Sequence, residues 1–102
     1  MFSSQTNYST GIEPWAVAAA DVNGDNKPDI IVANEGSTTV SVLLNAGNGT
    51  FTNQTIYAVG MGPSSVAAAD VNGDNKPDII VANWGSNTTS VLLALEMTGN
   101  LT

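Results

Sequence analysis

The chain repeats itself. Residues 17–34 read VAAADVNGDNKPDIIVAN, and residues 66–83 read the same. The offset of 49 holds on both sides: Phe2 matches Phe51, Tyr8 matches Tyr57, Pro14 matches Pro63, and Leu43 and Leu44 match Leu92 and Leu93. Of the 43 positions from Phe2 to Leu44, 31 are identical to their partners 49 residues later. A chain of 102 residues built this way is two copies of one supersecondary unit rather than two independent domains. The fold must therefore be modular, with each unit burying its apolar face against a neighbour.

Each unit divides into four strand-like pieces. In the second copy they are FTNQTIYAV (51–59), SSVAAAD (64–70), DIIVAN (78–83) and TTSVLLA (88–94). Gly-Pro, Asn-Gly-Asp and Trp-Gly-Ser or Glu-Gly-Ser breakers separate them. DIIVAN is a short apolar run bounded by loops, the pattern of a buried strand. Charged residues make up only 11% of the chain, and Asn, Ser, Thr and ten Gly supply most of its polarity, which favours strands and tight turns over amphipathic helices. Four short strands in about 45–50 residues is the arithmetic of one β-propeller blade, and the small residues of VAAAD suit an innermost strand at a crowded axis. A β-solenoid coil is usually shorter than this period, and a sandwich needs no repeat. The expected fold is all-β, with propeller blades of four antiparallel strands and two blades per chain. Repeat 1 then spans 2–50, with an outer strand at 2–10. Repeat 2 spans 51–99, with an outer strand at 51–59, and 100–102 form a tail.

The formal net charge is −7, from nine acids against two lysines, and six of the nine acids lie in two short loops. Those loops read Asp21-Val-Asn23-Gly24-Asp25-Asn-Lys27-Pro28-Asp29 and Asp70-Val-Asn72-Gly73-Asp74-Asn-Lys76-Pro77-Asp78. Side-chain oxygens fall at loop positions one, three, five and nine, and calcium takes six to eight oxygens in a flexible shell. Asp21, Asn23 and Asp25 would give one oxygen each, Lys27 its backbone carbonyl, and Asp29 would close the shell with both oxygens. Asp70, Asn72, Asp74, Lys76 and Asp78 repeat these roles. Gly24 and Gly73 permit the bend, and Pro28 and Pro77 stiffen the exit. One Ca2+ per repeat, two per chain, would reverse the mutual repulsion of three carboxylates. Magnesium fits less well because it demands stricter octahedral geometry. Asp, Asn and Gly are also ordinary turn formers, but the full pattern occurs twice, between strands. It is not an EF-hand, since Gly sits at position four and Val32 or Val81 at position twelve.

These residues, together with Phe…Gly-x-x-Pro ahead of them, resemble the FG-GAP repeat, also called a VCBS-type repeat, over nearly the whole chain. Such repeats build the propeller of integrin α-subunits and occur in many secreted proteins, fungal propeller lectins among them. The resemblance implies that the Asp loop joins the first two strands of a blade and binds calcium. It also implies a binding scaffold, since family members mostly bind ligands or accompany enzymes without supplying chemistry.

Family propellers usually close with about seven blades, whereas this chain carries two. Two blades leave open edges and half-covered sheets. The expectation is homo-oligomerisation into a closed ring of three or four chains, in which residues 2–10 of one chain complete the second blade of its neighbour.

The expected function is a non-enzymatic, calcium-binding module for extracellular binding, adhesion or scaffolding. The chain has no His and no Cys, so Ser-His and Cys-His pairs and thiolate metal sites are excluded. Glu13, Glu35 and Glu96 have no acidic counterparts in the other copy. The negative charge disfavours nucleic acid. No apolar run approaches the roughly 18 residues of a membrane span, and no secretory leader is visible at Met1.

The copies differ at Trp15, opposite Ser64, and at Trp84, opposite Glu35. Either tryptophan could stack on a sugar in a lectin site between blades, with Glu13 and Glu35 as polar neighbours; such a Trp more often packs between blades. A designed or excised propeller fragment with no ligand of its own is a further alternative, because near-perfect repetition follows equally from design or recent duplication. Five Asn-x-Ser/Thr sequons, at Asn7, Asn48, Asn53, Asn87 and Asn100, fit a secreted protein, though several arise by chance in so Asn- and Thr-rich a chain.

Overall fold

The computed structural model describes residues 5–94, and within them the chain is all-β. Phe2 to Ser4, Glu96, the Asn100 sequon and the 100–102 tail lie outside the described residues. The first sheet is built from β1 (Pro14–Ala20), β2 (Asp29–Asn34), β3 (Thr39–Leu43) and, further along the chain, β6 (Thr55–Ala58), in the spatial order β1-β2-β3-β6. All its pairings are antiparallel. The second sheet is β7 (Pro63–Ala69), β8 (Asp78–Asn83) and β9 (Thr88–Leu92), in that order. A two-stranded ribbon, β4 (Asn45–Gly47) with β5 (Thr50–Phe51), forms the third. A single turn of 3-10 helix, Glu35–Ser37, joins β2 to β3.

The registers of the two main sheets match residue for residue at the repeat offset. Val17 opposes Val32 and Ile31 opposes Val42 in the first; Val66 opposes Val81 and Ile80 opposes Val91 in the second. Both first strands open on a proline, which has no ladder N–H to lose at that position. In both, the pairing shifts one residue later, so that Trp15 and Ser64 each occupy the extra position of an irregularity.

The residues expected to form one strand at 51–59 form two. Thr52 N–H donates to the Leu44 carbonyl, and Leu44 N–H donates to Thr52 Oγ1. That exchange breaks the run: Thr50–Phe51 goes to the ribbon and Thr55–Ala58 to the edge of β3. The ribbon closes through Asn48-Gly49, at φ of 56° and 76°, the left-handed pair that a tight two-residue hairpin turn requires. Residues 5–10, part of the outer strand expected to complete a neighbouring chain's blade, form no strand within this chain. The edge of β3 is taken by β6, which lies in the segment expected to complete the first blade. Tyr8 instead rests edge-on against Phe51, and its hydroxyl accepts the Phe51 N–H.

The core lies between the two main sheets. Ile31, Ala33, Val40 and Val42 of the first pack with Ile79 and Val81 of the second, and Ala16, Ala20, Val22, Leu44, Val59, Val66 and Leu92 surround them. The small-residue strands β1 and β7 lie against each other. A polar knot ends each sheet: Asn34 Nδ2 donates to Ser41 Oγ and Thr39 Oγ1, and Asn83 donates likewise to Ser90 and Thr88. Gly11 and Gly60 make room for these knots. A Cβ at Gly60 would stand 2.8 Å from Asn83 Nδ2 and from Ser86 Oγ. Gly60→Ala is therefore expected to destabilise the fold by about 1–3 kcal/mol through overpacking, measured as a lower urea midpoint; an unchanged midpoint would show that the knot yields freely.

Candidate metal centre

The turn from β1 into β2 is organised by one carboxylate. Asp21 Oδ1 accepts the N–H groups of Asn23, Gly24 and Asp25 at 3.2, 2.8 and 3.2 Å, and Oδ2 accepts that of Asn26 at 2.7 Å. To present four successive donors to one side chain the backbone must curl tightly. It does so through Gly24, at φ of 79°, and Asn26, at 66°. Gly24 was expected to serve in this way. Asn26 was not, although Asn tolerates the left-handed region better than most residues. Asp25 Oδ1 then accepts the Lys27 N–H at 3.0 Å.

The last loop acid has a different task. Asp29 is fully buried, at the first residue of β2. Its Oδ2 accepts the Val22 N–H at 2.9 Å, and its Oδ1 accepts the Asn45 N–H at 2.8 Å. Both oxygens are thus already engaged once, so any metal contact would use their remaining lone pairs. Asp29 fastens the loop entrance to the chain leaving β3, a role the sequence pattern did not reveal. Asn45 completes the fastening by donating Nδ2 to the Pro28 carbonyl.

The second loop repeats the hydrogen bonds of the first, although Asn72 is exposed where Asn23 is half-buried. Asp70 collects the N–H groups of Asn72, Gly73, Asp74 and Asn75, and Asp74 Oδ1 accepts that of Lys76. Asp78, buried, accepts those of Val71 and Ala94. Gly73 and Asn75 again have positive φ.

The curl brings three carboxylates together in each loop. Oxygens of Asp21, Asp25 and Asp29, and likewise of Asp70, Asp74 and Asp78, lie within 4.8 Å of one another. Ligands about 2.3–2.6 Å from a shared calcium ion cannot be further apart than about twice that distance, so the spacing is compatible with one ion. Asn23 offers a second sign: its Oδ1 is buried and has no hydrogen-bond partner. The amide oxygens of Asn34 and Asn83 are also buried without a partner, but they stand outside the carboxylate clusters. What distinguishes Asn23 is that its acceptor falls within the loop that gathers the acids. Lys27 is exposed.

The two tryptophans are both exposed. Trp15 sits at the β1 irregularity. Trp84 follows β8, and its Nε1–H donates to Glu35 Oε2 at 3.2 Å, so the two counterpart positions of the repeat touch. Glu13 lies at the same junction, where its carbonyl accepts the Glu35 N–H. A cleft lined by Asn7, Tyr8, Ser9, Leu43, Thr52, Asn53 and Gln54 includes neither Trp.

A family model described as an FG-GAP-like repeat matches residues 21–81, from the first Asp of the first loop to β8. No curated protein and no solved structure matches the chain.

At Asp21, desolvation raises the carboxyl pKa, but the N–H donors of Asn26, Gly24, Asp25 and Asn23 outweigh it and hold it below its ordinary 3.8. At Asp70 the Asn75 N–H is the largest influence, and Gly73, Asn72 and Asp74 help to hold the group below 3.8 against desolvation. A depressed folded pKa means that the unfolded chain binds more protons at acid pH. The associated stability is complete above about pH 3.8 and is lost as pH falls through the folded values. In chelator, an Asp21→Asn/Asp70→Asn double variant is expected to lose stability less steeply than the parent below that pH, as read by urea unfolding. Equal slopes would contradict it.

Proposed function

The chain belongs to the FG-GAP-like repeat family, and on that premise we propose that it is a calcium-binding β-propeller-type module, non-enzymatic, that serves as an extracellular binding or adhesion scaffold. The observation that carries the metal reading is the pairing, in one curled loop, of three converging carboxylates with the buried, unpartnered oxygen of Asn23. Asp21, Asn23, Asp25 and Asp29, with the Lys27 carbonyl, would hold one ion; Asp70, Asn72, Asp74 and Asp78, with the Lys76 carbonyl, would hold the second.

The loop already does the work that binding would otherwise require. Its backbone is locked by N–H bonds to Asp21, so an arriving cation meets an arranged set of oxygens and little ordering entropy remains to be lost. The ion supplies the charge that makes the cluster favourable. In each copy the loop is the turn between two adjacent strands, so metal held there stabilises the strand pairing rather than a remote site. Extracellular modules bind calcium weakly, near 10⁻⁴–10⁻³ M, in surroundings where it is abundant. Binding outside the cell accords with the family, and among the described residues no helix is long and apolar enough to cross a membrane.

Trp84 is better read as a contact between sheets than as a sugar platform, because its N–H is engaged by Glu35. Among the described residues no side chain hydrogen-bonds to the Trp15 indole.

Calorimetric titration with Ca2+ is expected to give two ions per chain, and saturation at a hundredfold over Kd to add about 2.7 kcal/mol per site to stability. Asp25 carries only the Lys27 N–H in its carboxylate network, and Asn retains that acceptor. Asp25→Asn should therefore leave the fold intact and remove one of the two binding events, and Asp25→Asn with Asp74→Asn should remove both. No heat of binding at millimolar calcium, or full binding in the double variant, would refute the proposal.

A further inference from the structure

The two acidic loops share one sequence, Asp21 to Asp29 and Asp70 to Asp78, yet their surroundings differ. Asp21, Val22 and Asn23 are half-buried, whereas Asp70, Val71 and Asn72 are exposed. Val22 packs against the core shared by the two main sheets, whereas Val71 is 53% exposed. Position in the fold is the cause. β1 and β2 lie against β7 of the second sheet, so the first loop leaves β1 at the contact between the sheets. At the loop exits the sense is reversed, with Lys27 and Pro28 exposed and Lys76 and Pro77 half-buried. There, however, the expected ligand is a main-chain carbonyl, and the side-chain oxygens that differ in burial lie at the entrance.

The difference reaches the ligand atoms. Asn23 Oδ1 is buried without a hydrogen-bond partner, while Asn72 is open to water. A buried acceptor left unmatched carries its desolvation cost until a cation supplies the missing partner, so binding relieves it. An exposed acceptor must give up water to make the same contact. The attraction between a divalent cation and the carboxylates is also less screened where the loop entrance is half-buried.

A second difference lies beside the loop exit. Both loops are fastened to the chain leaving the third strand of their sheet: Asn45 N–H donates to Asp29 Oδ1 at 2.8 Å, and Ala94 N–H to Asp78 Oδ1 at 2.7 Å. Asn45 adds a side-chain bond, from Nδ2 to the Pro28 carbonyl at 2.9 Å. Alanine has no amide with which to repeat it at Pro77. That bond holds the peptide next to the Lys27 carbonyl. The ribbon after Asn45 reaches the same place, since a Cβ at Gly47 would stand 4.0 Å from Lys27 Cε. The exit of the first loop is thus fixed before an ion arrives, and less ordering entropy remains to be lost.

Resting on the calcium reading above, we infer that the two sites are graded, the first loop binding Ca2+ about tenfold tighter than the second through the unmatched Asn23 oxygen and the Asn45 bond. The first loop then keeps its ion, as a fixture of the contact between the sheets, over a range of calcium in which the second loop fills and empties. The second loop is the one that responds to the surroundings.

Calorimetric titration of single-loop variants separates the sites. Asp74→Asn leaves the first loop to bind, and Asp25→Asn leaves the second. The Kd of Asp74→Asn is expected to be about tenfold the lower of the two. Equal affinities, or the reverse order, overturn the grading and leave the calcium reading standing; no heat from either variant or from the parent chain overturns that reading and the grading with it. Asn23→Ala is expected to cost the first loop more affinity than Asn72→Ala costs the second, and equal losses overturn the part given to the unmatched oxygen. Asn45 is checked in both directions. Asn45→Ala, added to Asp74→Asn, should weaken binding severalfold with unchanged far-UV circular dichroism. Ala94→Asn, added to Asp25→Asn, should tighten it severalfold, a gain that misfolding does not produce. Binding unmoved by Ala94→Asn overturns the part given to Asn45.

Discussion

Buried carboxylates accepting main-chain N–H groups hold this fold at its sheet ends. Asp29 and Asp78 are each removed from solvent and each satisfy two amides, one at the start of the preceding loop and one beyond the third strand of the same sheet. An ionised carboxylate so placed is costly unless its hydrogen bonds are made, and the amides it serves are costly if they lose it. Three strands are thereby tied through one side chain. The same side chain is the fixed wall of the acidic cluster, so the geometry of the candidate metal centre and the joining of the strands are one arrangement rather than two.

That double duty explains which parts of the molecule were legible in the sequence. DIIVAN became β2 and β8 residue for residue, because an apolar run bracketed by Asp and Asn carries its own limits. The loops, with Gly24 and Gly73 at their bends, were equally clear, since oxygen spacing and turn chemistry are local properties. The fate of 51–59 was not. Its alternation reads as one strand, and only the bonds between Thr52 and Leu44 divide it. The ribbon turn at Asn48-Gly49 carried a recognisable hairpin signal beside strands too short to register. The structural duty of Asp29 was hidden for the same reason as the Thr52 break: its partner Asn45 lies 16 residues away, and a pattern of neighbours does not name a partner at that distance.

The repeat also separates what a residue is from where it sits. Identical stretches lie in different surroundings in the two copies, and burial follows position in the stack. An apolar side chain facing solvent in one copy is the same side chain that builds the core in the other. Exposure here reports a place in a sequence of layers rather than a surface chosen for polarity. The hydrogen bonds of the loops are insensitive to this, because they are satisfied almost wholly within each unit, and the loops lie inside the stretch, 17–34 and 66–83, that is identical in both copies.

The hydrogen bond from Trp84 to Glu35 joins two residues that share one position in the repeat unit. A position that touches its own copy cannot be filled freely with the same residue twice. Two glutamates there would set like charges side by side, and two tryptophans would leave the indole N–H without its acceptor. The apolar contacts between the sheets use residues that both copies share, Ile31, Ala33, Ile79 and Val81 among them, and at this polar contact the copies differ. The Glu-Trp step thus gives an otherwise uniform array a direction, marking which copy leads and which follows.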